Sequence, residues 1–406
     1  MKILHTSDWH IGQKLYGHDR EEEHQLFFGW LRHLINEHQV ECLLVCGDIF
    51  DTGYPTNSSL KLYYRFLTSL IGTSCRQVVI TGGNHDSVGT LEAPKDILEL
   101  LNVKVIGGVP EINEELIIQL KDESGRTHSV VVAAPFLRDR NIRESVVGEK
   151  YDDKIQAIRS GISAFYQNLF AITQSFRDQQ IPVIATGHLF VQGGQVSDTE
   201  RDIQIGNLAA VAAADFPAFD YFALGHLHRP QTISPIPPVV YSGSPLPLSF
   251  SELNDSKNVF LLKTGFPDIE VLPIEVPVFR KLIKMEGTLN QTRKALDEMK
   301  PEGGLPVWID LQVVEEDNDP LVLRAFDEFV ANFNVENQSR QIVKNAIRFS
   351  NRRTENILAA EERTLHDLGE KQVFEKLLDQ EGITDREPFL KSFGELLELA
   401  HQENLL

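Results

Sequence analysis

Five apolar runs of strand length each end in a small residue followed by a side chain that can hold a metal ion. They are Lys2-Ile-Leu-His-Thr-Ser-Asp8-Trp-His10, Cys42-Leu-Leu-Val-Cys-Gly-Asp48, Val78-Val-Ile-Thr-Gly-Gly-Asn84-His85-Asp86, Ile184-Ala-Thr-Gly-His188 and Tyr221-Phe-Ala-Leu-Gly-His226-Leu-His228. Five in series predict that strand ends of one sheet converge on one inorganic centre. That is also where open α/β sheets place their ligands, at the carboxyl ends of the strands.

Helix-period segments separate these runs. Leu26, Phe27, Trp30, Leu31, Leu34 and Ile35 recur at helical spacing, as do Leu60, Tyr63, Leu67 and Leu70 after Pro55. Ile155, Ile158, Ile162, Phe165 and Leu169 mark a third helix, and residues 129–134 and 238–242 are β-rich. The alternation predicts an α/β fold, with sheet layers flanked by helices. The pattern breaks at residues 267–277. Beyond it a small β-α-β-α-β unit is expected, with strands at 281–286, 306–314 and 341–347 and helices at 289–299 and 321–333. It carries no ligand-rich motif and would cover or extend the site. A polar linker follows Ser350-Asn-Arg-Arg353. Val373, Phe374, Leu377 and Leu378 then form one amphipathic stripe, and Phe389, Leu390, Phe393, Leu396, Leu397 and Ala400 another. Gly382 suits the end of the first helix, and Thr384-Asp-Arg-Glu387 resembles a capping box for the second. Such a pair either packs back on its own chain or docks a partner helix or coiled coil. The expected division is 1–275, 276–350 and 351–406.

The formal net charge of −20 disfavours unaided, nonspecific attachment to nucleic acid, because phosphate binding rests on cationic surface. A nucleic-acid enzyme is still admitted, since bound divalent cations and a partner protein supply positive charge locally. Cys42, Cys46 and Cys75 are too few for a disulfide framework and read as small buried thiols, which fits a reducing cytoplasm. No apolar stretch reaches membrane-spanning length, and Met1-Lys2-Ile3-Leu4 starts a strand with no signal-peptide pattern.

Asp8 and His10 lie two apart, where an extended backbone would point both to one face. Gly47 permits a tight turn that carries Asp48 off its strand, and a carboxylate there can bridge two cations. Asn84 offers an amide oxygen, His188 follows Gly187, and His226 and His228 alternate. This mixed oxygen and nitrogen set excludes a thiolate zinc site and suits Mn²⁺, Fe²⁺ or Zn²⁺ better than an all-oxygen Mg²⁺ or Ca²⁺ site. Two such cations share an activated water and neutralise phosphoryl oxygens during in-line attack on phosphorus. His85 is the expected proton donor to the leaving oxygen. Asp51, three residues past Asp48, is expected to hydrogen-bond His85 and hold it protonated. Singly, an Asp-x-His is often a surface pair and Gly-Asn-His-Asp an ordinary turn; the full set argues for metal. His5 reads as a core residue. His18, His24, His33, His38, His128, His366 and His401 lack such context and read as solvated or locally bonded. No Walker-type loop or dinucleotide fingerprint is present, so ATP hydrolysis is not expected of this chain.

Asp8-x-His10, Gly47-Asp48-x-x-Asp51, Gly83-Asn84-His85-Asp86, Gly187-His188 and Gly225-His226-x-His228 resemble the signature of the calcineurin-like metallophosphoesterases. The flanks Leu4-His-Thr-Ser-Asp-Trp-His-Ile-Gly12, Gly47-Asp-Ile-Phe-Asp-Thr-Gly53 and Tyr241-Ser-Gly-Ser-Pro-Leu-Pro-Leu-Ser-Phe250 are similar to the SbcD family of bacterial nucleases. In order and domain plan the resemblance spans essentially the whole chain, densest before Glu252 and weak beyond Pro277. It implies a two-metal DNA nuclease for end processing, repair and recombination. Such a protein is a 3′ to 5′ exonuclease on duplex ends, cuts single strands and opens hairpins. Its partner is an SbcC-type ATPase, and the assembly is a homodimer within a heterotetramer, in the bacterial cytoplasm at the nucleoid. The resemblance favours Mn²⁺. It groups Asp8, His10, Asp48 and His228 around one ion, and Asp48, Asn84, His188 and His226 around the other, with His85 as the catalytic histidine. Archaeal and eukaryotic relatives commonly carry a histidine where this chain has Asp51, so an Asp–His pair would replace a histidine pair.

The same resemblance makes 276–350 a DNA-contacting capping domain and the terminal helices a hairpin that grips the ATPase. Candidate DNA contacts are then Arg138, Arg140 and Arg143, with Lys344, Arg348, Arg352 and Arg353 at the cap end. A small-molecule phosphodiesterase, or a non-catalytic scaffold on the same fold, are the alternatives. The first needs neither cap nor tail. The second predicts lost ligands, yet every expected position is filled.

Overall fold

The computed structural model describes residues 1–143, 150–196, 210–266, 268–299, 304–317 and 319–350, together with Phe374, Leu378, Leu390, Ser392 and Phe393. Two six-stranded sheets form the first unit. One runs Ile269–Glu275, Asn258–Thr264, Lys2–Thr6, Cys42–Cys46, Gln77–Thr81, Val103–Ile106; the other Gln231–Pro235, Pro238–Tyr241, Tyr221–Gly225, Val183–His188, Thr127–Val132, Ile117–Lys121. The expected sheet layers are present, but the five ligand-bearing strand ends, expected on one sheet, are shared between two. Three ligand-bearing strands are parallel neighbours in the first sheet and two in the second.

Burial explains both the runs and the miscount. Leu4, Leu43, Val45, Val78 and Ile80 pack with Phe27, Leu31, Leu62 and Phe66 of the helices Glu21–His38 and Asn57–Ser69. The alternate residues Ile3, Cys42, Leu44, Cys46 and Val79 join the core shared with the second sheet. There the His5 ring nitrogen Nδ1 meets the Tyr221 hydroxyl at 3.0 Å. On the far side Phe222 packs against Tyr166 of the helix Tyr151–Ile172, with ring centroids 5.0 Å apart. Each ligand-bearing strand thus buries one face on helices and one on the opposite sheet. Periodicity cannot separate this from one sheet covered by helices twice. Each fully buried aliphatic side chain contributes about 1.5–3 kcal/mol. All three cysteines are free and buried, as expected.

After Glu275 the chain leaves the first sheet. Leu282–Gly287, Val307–Glu315 and Arg340–Phe349 form a three-stranded parallel sheet with Val307–Glu315 central. Leu289, Leu296, Phe326 and Phe333 from the helices Leu289–Glu298 and Pro320–Glu336 cover one face, against Val307, Ile309, Leu311 and Val313. Trp308 lies in a separate cluster with Leu282, Val343, Leu15 and Phe250, so the other face rests on the first unit. Arg280 locks the junction. Its Nε donates to Glu23 Oε2 at 2.9 Å, and its guanidinium stacks 4.1 Å from the Trp308 ring centroid. The expected terminal helices lie outside the described residues apart from five positions. Among these, Phe374 and Phe393, one from each expected stripe, stack with ring centroids 4.1 Å apart.

Candidate metal centre

The ligand-type residues sit where the five strands end at the seam between the sheets. Asp8, His10 and His228 offer atoms within 4.8 Å of one another, as do Asp8, Asp48 and His188, and also His10, Asp51 and His85. Asn84 Oδ1 lies 2.9 Å from His188 Nε2 and 3.1 Å from His226 Nδ1. All nine residues singled out in the sequence are therefore brought together.

The backbone achieves this by leaving extended geometry. Asp8 (φ 52°), His10 (φ 45°), Asp48 (φ 49°) and His226 (φ 98°) all have left-handed dihedrals, and so does Gly47 (φ 85°). The expected strand-like alternation of Asp8 and His10 is thus wrong in mechanism, because their strand ends at Thr6. Left-handed dihedrals are strained for non-glycine residues and persist only where surroundings impose them. At Asp8 and His10 Trp9 imposes them. It is fully buried between the two ligand-type residues, its ring lies 5.0 Å from Phe28 and 5.5 Å from Phe66, and its Nε1 donates to Thr6 Oγ1 at 3.1 Å. Main-chain bonds from Asp8 N to Gly47 O (3.0 Å) and from His10 N to Asp48 O (3.0 Å) then splice two strand ends together.

Asp48 is the hub. Its Oδ1 accepts from His85 N at 2.9 Å, and its Oδ2 lies 3.1 Å from His188 Nε2 and 3.6 Å from His10 Nε2. A Cβ at position 83 would collide with the Asp48 side chain and main chain, so Gly83 is required by close approach. Asp86, quoted in its motif but given no role, ties the Asp48 and Asn84 loops together. Its carboxylate accepts from Gly83 N (2.9 Å), Ile49 N (3.1 Å) and Phe50 N (3.0 Å). Its signal was an acid embedded among ligands. The Cys46 carbonyl, 3.0 Å from His188 Nδ1, has no sequence signal at all.

Hydrogen bonds fix the ring faces. A carbonyl only accepts, so His188 Nδ1 carries a proton toward Cys46 and its Nε2 faces Asp48 and Asn84. His85 Nδ1 likewise donates to the Asp51 main-chain carbonyl at 2.8 Å. The Asp51 carboxylate does not make the expected bond to His85; its Oδ1 lies 3.2 Å from His10 Nδ1. Residue 51 thus meets His85 through its backbone and His10 through its side chain, a division that no residue spacing reveals.

The field suits cations. Burial alone would raise the Asp48 carboxyl, but His188 and His10 hold it well below the usual range. Burial pushes Asp8 up to about 6. Burial opposes charge on His188 and His10, yet Asp48 lifts His188 to about 9, and the Asp51 and Asp48 carboxylates lift His10 to about 9. His10 Nε2 is buried with no hydrogen-bond partner, and it faces the Asp48 carboxylate. These donors fit a divalent cation of the Mn²⁺, Fe²⁺ or Zn²⁺ type, which displaces protons from imidazoles and satisfies the carboxylates.

The basic candidates narrow. Arg143 pairs with Asp139 at 3.1 Å, Lys344 pairs with Asp310 at 3.2 Å and Arg138 is half-buried, which leaves Arg140 and Arg348 as the exposed cations of those described. Arg352 and Arg353 lie outside the described residues. No helix among the described residues is long and apolar enough to cross a membrane.

A family model described as calcineurin-like phosphoesterase matches residues 1–230. A second, described as type 5 capsule protein repressor C-terminal domain, matches residues 278–382. The chain is 38% identical to the SbcD component of the SbcCD nuclease of Escherichia coli K12 over 392 residues, covering 95% of this chain and 94% of that one. It is 37% identical to the corresponding protein of Rhodobacter capsulatus over 311 residues, covering 74% and 76% of the two chains. With that of Bacillus subtilis identity is 32% over 320 residues, covering 77% and 79%.

Proposed function

The chain belongs to the calcineurin-like phosphoesterases, and among them to the SbcD nucleases, a membership from which we propose that it cleaves DNA at duplex ends with two divalent cations. As a member it is a phosphodiester hydrolase. In this reading Asp8, His10, Asp48 and His228 hold one ion, and Asp48, Asn84, His188 and His226 the other. The observation that carries it is Asp48, a buried carboxylate touching both imidazole groups of the centre. Bound cations supply Lewis-acid chemistry, lowering the pKa of water and neutralising charge on phosphoryl oxygens. Mn²⁺ is the proposed ion.

The chain's own residues do the rest. Asp48 and Asn84 hold the two groups of imidazoles in one frame, and Asp86 keeps their loops in register. His85, its Nδ1 anchored on the Asp51 carbonyl, presents Nε2 for proton delivery to the leaving oxygen. The three-stranded unit is proposed as a cap that contacts DNA, and residues 351–406 as the docking segment for an SbcC-type ATPase. The working assembly is proposed as a homodimer within a heterotetramer in the bacterial cytoplasm. It acts as a 3′ to 5′ exonuclease and opens hairpins.

The test is Mn²⁺-dependent digestion of an end-labelled duplex by wild type and His85→Gln, with and without the ATPase. Cleavage lost in His85→Gln with Mn²⁺ binding retained is expected. No cleavage of any nucleic acid, with fast turnover of a small phosphodiester, would overturn DNA as the substrate. Truncation after Ser350 is expected to abolish ATPase binding and keep metal-dependent cleavage.

A further inference from the structure

Behind His228 lies a buried ion pair that the chemistry above leaves unused. Glu252 has no exposed surface, and Lys257 keeps 5% of its own. Lys257 Nζ donates to Glu252 Oε2 at 2.6 Å, to the His228 carbonyl at 3.0 Å and to Ser244 Oγ at 3.0 Å. Ser244 N donates to the same carbonyl at 3.1 Å, and Leu248 N to Glu252 Oε2 at 3.1 Å. The other carboxylate oxygen, Oε1, lies 3.9 Å from His228 Nδ1. One ammonium–carboxylate unit therefore grips the main chain of His228 and faces the edge of its ring.

Stability is a poor reason for such a pair. Desolvating two charges offsets most of their attraction, and well-packed apolar replacements are often neutral or stabilising. Metal-holding histidines, in contrast, regularly have their second ring nitrogen set against a carboxylate or carbonyl that fixes tautomer and orientation. His188 has the Cys46 carbonyl in that place, and His10 has Asp51. Glu252 stands on the Nδ1 side of His228 at 3.9 Å, close enough to bias the ring electrostatically but longer than the direct bonds to His188 and His10.

We propose that Glu252, held by Lys257, is a positioning residue that sets the His228 ring toward the ion shared with Asp8 and His10. The proposal rests on the ligand sets given under the proposed function. It makes the segment from Ser249 to Lys257 part of the metal centre, although none of its residues is a ligand.

The test uses the full chain and two variants, Glu252→Gln and the double replacement Glu252→Leu with Lys257→Met. The double variant removes both charges and so avoids an unpaired buried ammonium. Melting is followed without metal, Mn²⁺ binding by titration calorimetry, and duplex cleavage across a Mn²⁺ series. Expected for the double variant is near wild-type melting, one of two Mn²⁺ sites weakened roughly 10- to 100-fold, and cleavage that recovers at high Mn²⁺. Glu252→Gln is expected to weaken the same site. A folded double variant with a wild-type Mn²⁺ isotherm overturns the proposal. So does equal weakening of both sites together with lowered melting, which would mark a purely structural pair. Wild-type protein that binds no Mn²⁺ overturns the ligand assignment itself, and this proposal with it.

Discussion

Asp51→Asn separates metal holding from proton donation. The Asp51 carboxylate lies 3.2 Å from His10 Nδ1, while its main-chain carbonyl accepts from His85 Nδ1 at 2.8 Å. Substitution changes the first contact and keeps the second. Loss of a partner behind a metal-holding histidine weakens metal binding about 10- to 100-fold, equivalent to about 1.4–2.7 kcal/mol. The Asp51 side chain is 32% exposed, so solvent already screens part of the interaction. The expected loss therefore sits at the lower end, roughly tenfold in Mn²⁺ affinity. Turnover at saturating Mn²⁺ is expected within about threefold of wild type, the pattern of a binding interaction made equally in ground and transition states. Losing a general acid would instead cost about 10²–10⁴-fold. Calorimetric titration of chelator-stripped protein measures the affinity, and end-labelled duplex digestion over a Mn²⁺ range measures turnover. An unchanged Mn²⁺ isotherm with turnover down roughly 100-fold or more would refute this division of labour and return the Asp51 carboxylate to His85.

Three further outcomes are expected. Burial depresses the His5 ring from the usual 6.5 to about 3, so between those pH values the unfolded chain binds the extra proton. Stability from His5 is full above pH 6.5 and falls by about 1.4 kcal/mol per pH unit below it; urea midpoints for His5→Gln should show a flatter acid limb, and parallel limbs would exclude His5. Gly83→Ala drives a methyl group into Asp48 and should abolish Mn²⁺ binding while far-ultraviolet circular dichroism stays native; retained binding contradicts the close-approach requirement. Arg280→Ala removes the Glu23 contact and the Trp308 stacking, but Glu23 keeps Arg20. Roughly 2–3 kcal/mol of stability should be lost in urea unfolding, less than for a stranded buried charge, and a change below about 0.5 kcal/mol would deny Arg280 a structural role.

Much of the order of strands and helices was legible because burial writes a period into the chain, but the strands Val103–Ile106, Ile117–Lys121, Asn258–Thr264 and Ile269–Glu275 were not read, the last lying inside the expected break at 267–277. The Cys42–Cys46 strand shows as an unbroken apolar run, and Glu21–His38 shows as a stripe of Phe27, Leu31, Leu34 and Ile35. The second unit was read the same way, from Leu282–Gly287 to Arg340–Phe349. The candidate ligands were legible for another reason: a metal site needs a few particular side chains, and those were spelled out after each run. What failed was anything carried by the main chain or by distance. Two stacked sheets look like one because both bury alternate residues equally. Asp8 and His10 looked like strand neighbours, because left-handed dihedrals leave no mark on residue type when Trp9 imposes them from the core.

By itself the sequence determined the chemistry available: two aspartates, an asparagine and four histidines at strand ends, with one further histidine beside them. Only the tertiary structure decided how they divide the work. It set Asp48 between the two imidazole groups, turned the Asp51 carboxylate to His10 and its carbonyl to His85, and seated Glu252 and Lys257 behind His228. The physical reason is that a ligand's identity is local, whereas its orientation comes from carbonyls and carboxylates that are brought up from distant parts of the chain only when the two sheets close on each other.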